Sequence, residues 1–411
     1  MSDTAIWSPE ELRAQFPILR REVNEQPLRY LDNAATTFSP RCVQEAMTRF
    51  ENHFRSNVQR GMHQLGVEAT EAYETARSSA ANYLNACSTD EIVFTPGTTF
   101  AVNLVAHCFG QTLHSGDEIV VSVAEHHSNF IPWQRLRDQY GIEIRLIPVL
   151  ANGSLDLDQL DQLITERCRL VAVSHISNVT GSITDLEAIT RIAHSNNALV
   201  FVDGAQAVPH GPVDVQALDV DFYAFSAHKC YGPTGAGVLW ARREILEELP
   251  PFLTGGGMIE RVTATDTRYL SGRQRFEAGT PPVAQVIGLG AALDWLMALP
   301  WGEIRPFEQR LASRLLQGFS RIEGLSLLGE PSAEDRAPIF SFHIEGCHSH
   351  DICQVLDEYG VALRGGHHCA QPLMDALNLV ATTRASLAVF NTEDDIEALL
   401  GGLQKAVELL R

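Results

Sequence analysis

From residue 90 to residue 240 one pattern repeats: a short apolar run, a loop of small and polar residues, then a stretch with helical character. The runs EIVFT (91–95), EIVVSV (118–123), RLVAVSHIS (169–177) and ALVFV (198–202) are nearly continuous in apolar residues, as is FYAF within DFYAFSAHKCYGPTGAG (221–237), and a further strand is read at 142–147. Helical stretches from Thr98 to about 109 and over 129–140, 156–164 and 185–196 separate them. Such alternation builds an α/β unit, a mainly parallel sheet flanked by helices. Ligands of these sheets bind outside the carboxyl ends of the strands, so chemistry is expected in the loops after the runs.

The flanks extend this unit. Ser8 caps a helix over 9–16 with Pro9 at its first position; YLDNAATT (30–37) reads as a strand ending in a small-residue turn, and helices cover 40–54 and 67–85. Between those helices, Arg55 and Arg60 face an anion or merely water. After Trp240 come a helix, the Gly255-Gly256-Gly257 hinge, a turn at 277–282 and helices over 283–298 and 302–320. The last part mixes strands (338–344, 361–364, 383–389) with helices (349–359, 393–410), a smaller α+β unit. We expect a large domain over 21–285 and a small one over 286–411 joined by the segment 1–20; 411 residues suffice for two.

A net charge of -20 argues against a nucleic-acid partner, which needs a basic face. No apolar stretch reaches membrane-spanning length, and the polar start MSDTAIWSPEELRAQFP lacks a signal peptide's regions, so a soluble cytoplasmic protein is expected. Eight scattered cysteines without a CxxC pair argue against a disulfide framework. Most are expected to be small buried hydrophobes, with Cys369 set apart.

The loops carry the informative residues. Lys229 follows a buried apolar run and precedes a Gly/Pro-rich turn; it suits a Schiff base with a carbonyl compound, or is a surface lysine. Asp203 ends the run 198–202, with Gln206 in the same turn. A carboxylate there needs a cation, or simply caps the turn. Gly97, Thr98 and Thr99 open a helix and form an anion site or an ordinary threonine cap; no Walker loop is present. His126 either lies flat on an aromatic ligand or is a satisfied structural histidine. Cys369 sits beside His367, His368 and Arg364, which favour its thiolate. Alternatively it is a plain loop cysteine, or a metal fragment with His348, His350 and Asp351, which read more simply as a helix start. An anion pocket with Ser226 and His228 nearby, a flat ring, a carboxylate with an amide, and a lysine make the inventory that pyridoxal 5'-phosphate needs. No metal is expected.

The chain also resembles class V, fold-type I pyridoxal-phosphate enzymes, specifically cysteine desulfurases of the group that includes SufS and CsdA. SAHKCYGPTGAG, VDGAQAVPH, SVAEHHSNFIPW and RGGHHCAQP carry the resemblance most specifically, and it runs from YLDNAATT to NTEDD. It implies Lys229 as the cofactor-bearing lysine, Asp203 at the pyridinium nitrogen, Gln206 at the phenolic oxygen and His126 over the ring. It implies Thr98, Ser226 and His228 at the phosphate, with Thr280 reaching it from the other subunit of a homodimer. Asn178 and Arg384, with Arg364, would hold the substrate carboxylate. Cys369 would attack the sulfur of L-cysteine, leaving alanine and a protein persulfide, with Lys229 as acid–base. The structured cysteine loop implies a small sulfur-acceptor protein of the SufE/CsdE kind. The glutamine of CAQP is nearer the CsdA-like branch and the two histidines nearer the SufS-like one. Selenocysteine and cysteine sulfinate are further implied substrates. An aminotransferase or β-lyase on the same cofactor, or a non-catalytic sulfur carrier, stay open beside this reading.

Overall fold

The computed structural model describes residues 8–59 and 61–411; Arg60 and the start of the chain, 1–7, lie outside the described residues. The apolar runs form seven strands: β1 (Ile92–Thr95), β2 (Glu118–Ser122), β3 (Glu143–Ile147), β4 (Cys168–Ser174), β5 (Leu199–Asp203), β6 (Phe222–Ser226) and β7 (Gly237–Ala241). They lie in one sheet in the order β1-β7-β6-β5-β4-β2-β3. β2 pairs in parallel with β3 and β4, β4 with β5, and β5 with β6. β7 runs antiparallel to both β1 and β6, so the other six share one direction and one carboxyl edge. The sequence pattern did not single out β7, because its hairpin turn lies in the Gly/Pro-rich segment.

Alternate residues of β6 enter opposite cores: Tyr223 and Phe225 join one buried cluster, Phe222 and Ala224 the other. Both faces are dry over the central strands, which is why those runs show no polar alternation; the edge strand β3, EIRLI, is only partly buried and does alternate. Gly204, just after β5, lies flat on Tyr223; a Cβ there would meet the ring's Cε1 at 2.0 Å. Tyr223 in turn bonds His175 Nδ1 at 2.9 Å. Gly204→Ala is therefore expected to destabilise by about 1–3 kcal/mol or more through overpacking. A lowered urea midpoint at unchanged slope would show it, and an unchanged midpoint would refute the packing account.

The later part forms a four-stranded antiparallel sheet in the order β8-β9-β11-β10, where β8 is Leu325–Leu327, β9 Ile339–Ile344, β10 Arg364–Gly366 and β11 Thr382–Ser386. Phe340 and Phe342 pack there on Leu311, Leu315, Phe319, Ile352, Leu399 and Leu403 of the covering helices. The chain's beginning joins this sheet's neighbourhood. Arg29–Tyr30 pairs with Val361–Ala362, Asp32 bridges Ser386, and Arg13 meets Asp395 at 2.9 Å. The expected boundary after residue 285 falls inside the helix Val283–Met297. That helix lies so close to the helix Gln64–Leu84 that a Cβ on Gly290 would meet Ala76 Cβ at 2.6 Å.

Several expected elements differ. The strand expected over 30–37 is only Arg29–Tyr30, because Asn33 and the small residues after it turn to reach β11: Asn33 Nδ2 donates to Ser386 O at 2.8 Å. The helix at 156–164 shrinks to Leu160–Leu163, since 155 already bridges Val149. The first helix stops at Arg13, capped by Ser8 as expected (Glu11 N–H to Oγ, 3.1 Å). A hairpin, Ile259–Val262 with Thr267–Tyr269, occupies the polar stretch after the glycine hinge. His348 caps the helix Ser349–Asp357, the helix-start reading of that motif. Only Cys108, Cys168 and Cys230 are buried, fewer than expected. Among the described residues no single helix is long and apolar enough to cross a membrane.

Candidate active site

At the carboxyl edge of β1, β5 and β6 lies a cavity of about 270 Å³. Thr98, Thr99, His126, Asn178, Asp203, Ser226, His228, Lys229, Arg364, Cys369 and Arg384 all line it. Residues more than 270 positions apart in the chain thus converge because the strand ends do. Gly97 and Gln206 are not in the lining but adjoin it, Gly97 against Ser226 and Gln206 through its bond to Ala34 O. Thr280 does not reach this cavity; it is exposed beside Gln59 and Gly257 in a separate depression.

One end of the cavity is built for an anion. β1 turns through Pro96 and Gly97 into the helix Thr98–Gly110. Gly97, at φ 153°, offers no capping side chain of its own, so the helix's N–H groups beyond Thr98 stay available. Thr98 N–H donates to Ser226 Oγ at 2.9 Å, and the two hydroxyls are 2.8 Å apart. Gly237 makes this convergence possible: a Cβ there would meet Gly97 Cα at 2.7 Å. His228 is held by Thr36, whose Oγ1 lies 3.2 Å from its Nδ1. Burial, then Lys229, pulls its pKa down to about 4.

Asp203 and Lys229 occupy the middle. Burial pushes the Asp203 carboxyl up, opposed by Lys229 and by the Ala205 N–H that its Oδ1 accepts at 3.0 Å. Burial pushes the Lys229 amine down, opposed by Asp203, with Arg384 and Arg364 adding to the lowering. Gln206 is buried, and its Nε2 donates to Ala34 O at 2.8 Å. It fixes the turn after Tyr30 against the turn after β5.

His126 Nδ1 accepts the Ser128 N–H at 3.1 Å, so the ring's proton sits on Nε2. Burial, then Lys229, brings its pKa down to about 3, and the ring is neutral. Beneath it Glu125 is fully enclosed: it accepts from Asn129 Nδ2 at 2.6 Å, Ser174 N at 2.9 Å and the Ser122 hydroxyl, and burial raises it to about 7. The sequence reading assigned Glu125 no role.

The cysteine loop is strained and then pinned. His368 and Cys369 both have left-handed backbone, φ 52° and 57°, at a cost of roughly 1–3 kcal/mol each. Asn178 Nδ2 holds His368 O at 2.9 Å, and His127 N holds Cys369 O at 2.7 Å. Cys369 N donates to His367 Nδ1 at 3.1 Å, and Gln371 N to His127 Nε2 at 3.2 Å. His368 does not act as a cation beside the thiol, contrary to the expectation. It is buried, bonded to Thr382 Oγ1 at 2.9 Å, and brought down to about 2 by burial and then Arg384. The positive charge near Cys369 comes from arginines instead. Arg384 is buried, with Nη1 on Asn178 O at 2.9 Å and Nη2 on Asp32 Oδ1 at 3.1 Å, and its Nε has no partner. Arg364 is exposed at the cavity's edge.

Four histidines near this edge are held neutral: His126, His175, His228 and His368 lie at about 3, 4, 4 and 2. Unfolded, each binds a proton below about pH 6.5. Unfolding therefore takes up protons as pH falls, and stability falls with it. Glu125, Asp203 and Asp32, raised in the fold, act in the opposite sense but are fewer. The urea midpoint is expected to drop steadily from about pH 6.5 to about pH 4.5. A flat or rising midpoint would mean these rings are not neutral in the fold.

The donor set fits pyridoxal phosphate: hydroxyls and an uncapped helix N-terminus for a phosphate, a buried carboxylate for a protonated ring nitrogen, and an amine for an aldehyde. The orphaned Nε of Arg384 offers a further donor for a carboxylate. The aminotransferase class-V family model matches residues 29–399 of this chain. A cysteine desulfurase of Cronobacter sakazakii is 45% identical over 406 residues, 98% of this chain and 99% of that one. A probable cysteine desulfurase of Halalkalibacterium halodurans is 45% identical over 399 residues, 97% and 98% of the two chains. Among solved structures, the cysteine desulfurase CsdA of Escherichia coli in its S-sulfonic acid form is similar at TM-score 0.91 and 41% identity, covering 99% of this chain and 100% of that one.

Proposed function

The chain belongs to the aminotransferase class-V family and is a cysteine desulfurase, and from that premise we propose that it moves sulfur from L-cysteine to Cys369 with pyridoxal 5'-phosphate held in the cavity above β1, β5 and β6. The observation that carries this reading is that Lys229, Asp203, the Thr98–Ser226 anion end and Cys369 face one cavity. When bound there, the cofactor supplies an electron sink for the substrate's α-carbon. Thr98, Thr99, Ser226 and His228 would hold its phosphate, Asp203 would keep its ring nitrogen protonated, Gln206 would serve its phenolic oxygen, and His126 would meet the ring as a neutral imidazole.

Arg384, steadied by Asp32, and Asn178 bind the substrate carboxylate, with Arg364 at the entrance. Burial makes Lys229 easier to deprotonate, so its Nζ takes the α-proton and later returns it. The Cys369 thiolate attacks the substrate sulfur. The S–Cβ bond breaks with its electron pair left on Cβ, which takes a proton and becomes the methyl of alanine. Cys369 is left as a persulfide.

We further propose a homodimer in which Thr280, exposed on its own chain, serves the partner's phosphate site. A small acceptor protein of the SufE/CsdE kind would drain the persulfide in the cytoplasm. Selenocysteine and cysteine sulfinate, whose leaving groups depart more readily, would also turn over. The test is to incubate purified enzyme with L-cysteine and a reductant. Alanine and sulfide are expected in equal amounts, with Cys369 heavier by one sulfur atom before reduction. Pyruvate and ammonia in place of alanine would instead make the enzyme a β-lyase.

A further inference from the structure

A second cavity, of about 290 Å³, lies on the other side of the turn that carries Asp203. Asp203 and Ala205 face the first cavity, while Ala207 and His210, a few residues on, face this one. Three of its polar side chains, His210, Glu308 and Arg336, each carry a buried atom with no hydrogen-bond partner. His210 Nδ1 and Glu308 Oε1 face each other at 3.7 Å, too long for a hydrogen bond, and neither has another partner. Glu308 is 7% exposed and Arg336 4%. Arg336 donates from Nη1 to Glu330 O at 2.6 Å and from Nη2 to Thr180 O at 2.7 Å and Ile339 O, and its ring-facing side lies over Phe340. Among the described residues no carboxylate lies within ion-pair distance of it, Glu330 acting only from further off, and its Nε is unpartnered. Buried charges left like this are costly unless something answers them.

Three residues that line this one cavity thus each carry an orphaned polar atom just under its surface: a carboxylate oxygen, an imidazole nitrogen and a guanidinium N–H. Arg305 adds a second guanidinium, lying against Gly211, where a Cβ would meet its Nη2 at 2.6 Å. Ile176, Val213, Ala312 and Pro338 supply an apolar wall. A ligand that answers this set carries an ammonium for Glu308, a carboxylate for the arginines and a short apolar group for the wall. From this juxtaposition of orphaned carboxylate, guanidinium and apolar wall, we propose that the cavity binds a free α-amino acid with a small side chain, at a site separate from the catalytic one. Binding there presses on the 203–210 turn, so the reaction's own product class can be sensed from behind the cofactor site.

The probe is isotopically labelled L-alanine in equilibrium dialysis against the cofactor-loaded enzyme, with the cofactor's absorbance followed separately to report the catalytic cavity. Wild type is expected to bind one equivalent per chain beyond the equivalent that perturbs the absorbance. Glu308→Gln and Arg305→Gln should each weaken that extra binding at least tenfold and leave the absorbance titration unchanged. Propionate, which lacks the ammonium, should compete at least tenfold less well than alanine. Arg305 is exposed, so its variant keeps the test decisive even if the Glu308 variant fails to fold. No extra equivalent in wild type means the cavity holds ordered water only and overturns the proposal. Survival of the extra binding in the Arg305 variant, or equal competition by propionate, overturns it as well. Because the readout is binding, failure here is distinguishable from failure of the desulfurase reading.

Discussion

Cys369→Ala is expected to lower alanine and sulfide formation from L-cysteine by at least about 10³-fold while the yellow cofactor band stays intact, the scale seen when a nucleophile that works with other groups as a unit is removed. The reason lies in how the loop is held. His368 O and Cys369 O are fixed by Asn178 and His127, and Cys369 N by His367. None of these bonds uses Sγ. Alanine can therefore take the same pinned backbone, although its left-handed φ of 57° is no easier for alanine than for cysteine. The thermal midpoint should change little, and the loss falls on chemistry. Cysteine sulfinate separates the two roles, because its leaving group departs without a thiol to receive it. The variant should keep most of its activity on sulfinate. Full activity of Cys369→Ala on L-cysteine would remove Cys369 as nucleophile. Equal losses on both substrates would mean the substitution disturbs the whole cavity.

The sheet was legible because its strands are buried on both faces: IVFT, EIVVS and FYAFS are buried at every residue. β7 is buried as completely, but the turn before it, rich in glycine and proline, reads as a loop. Its antiparallel direction follows from that tight turn. The site was legible where a functional residue ends a strand, as Asp203 does. It was not legible where the partner is distant in sequence. Nothing near Arg384 announces Asp32, and nothing near Cys369 announces Asn178 or His127. His127 is the instructive case. Adjacent histidines point different ways, so no shared role is implied for His126 and His127; one lines the cavity, and nothing in the sequence shows that the other clasps the cysteine loop. His368 shows the opposite error. Its position beside Cys369 suggests a cation, and burial against Thr382 forbids one.

Lys229→Ala is expected to leave less than about 10⁻³ of the activity, since acid–base groups alone contribute roughly 10²–10⁴-fold and this one also anchors the cofactor. Two measurements separate those contributions. Reduction with borohydride before denaturation should fix the cofactor to wild type and not to the variant. A small added amine should restore part of the rate in the variant, because it supplies at low effective concentration the base that Nζ supplies in place. The environment makes Lys229 suited to both tasks. Burial lowers its pKa, and Arg384 and Arg364 lower it further, while Asp203 acts in the opposite sense. The opposing carboxylate is itself raised above the ordinary aspartate range by burial. Asp203→Asn should therefore lower the pH at which the rate rises, a shift that a purely structural Asp203 would not produce. If borohydride still links the cofactor to Lys229→Ala, another amine carries it, and the placement of the whole ring between Asp203 and His126 fails with it.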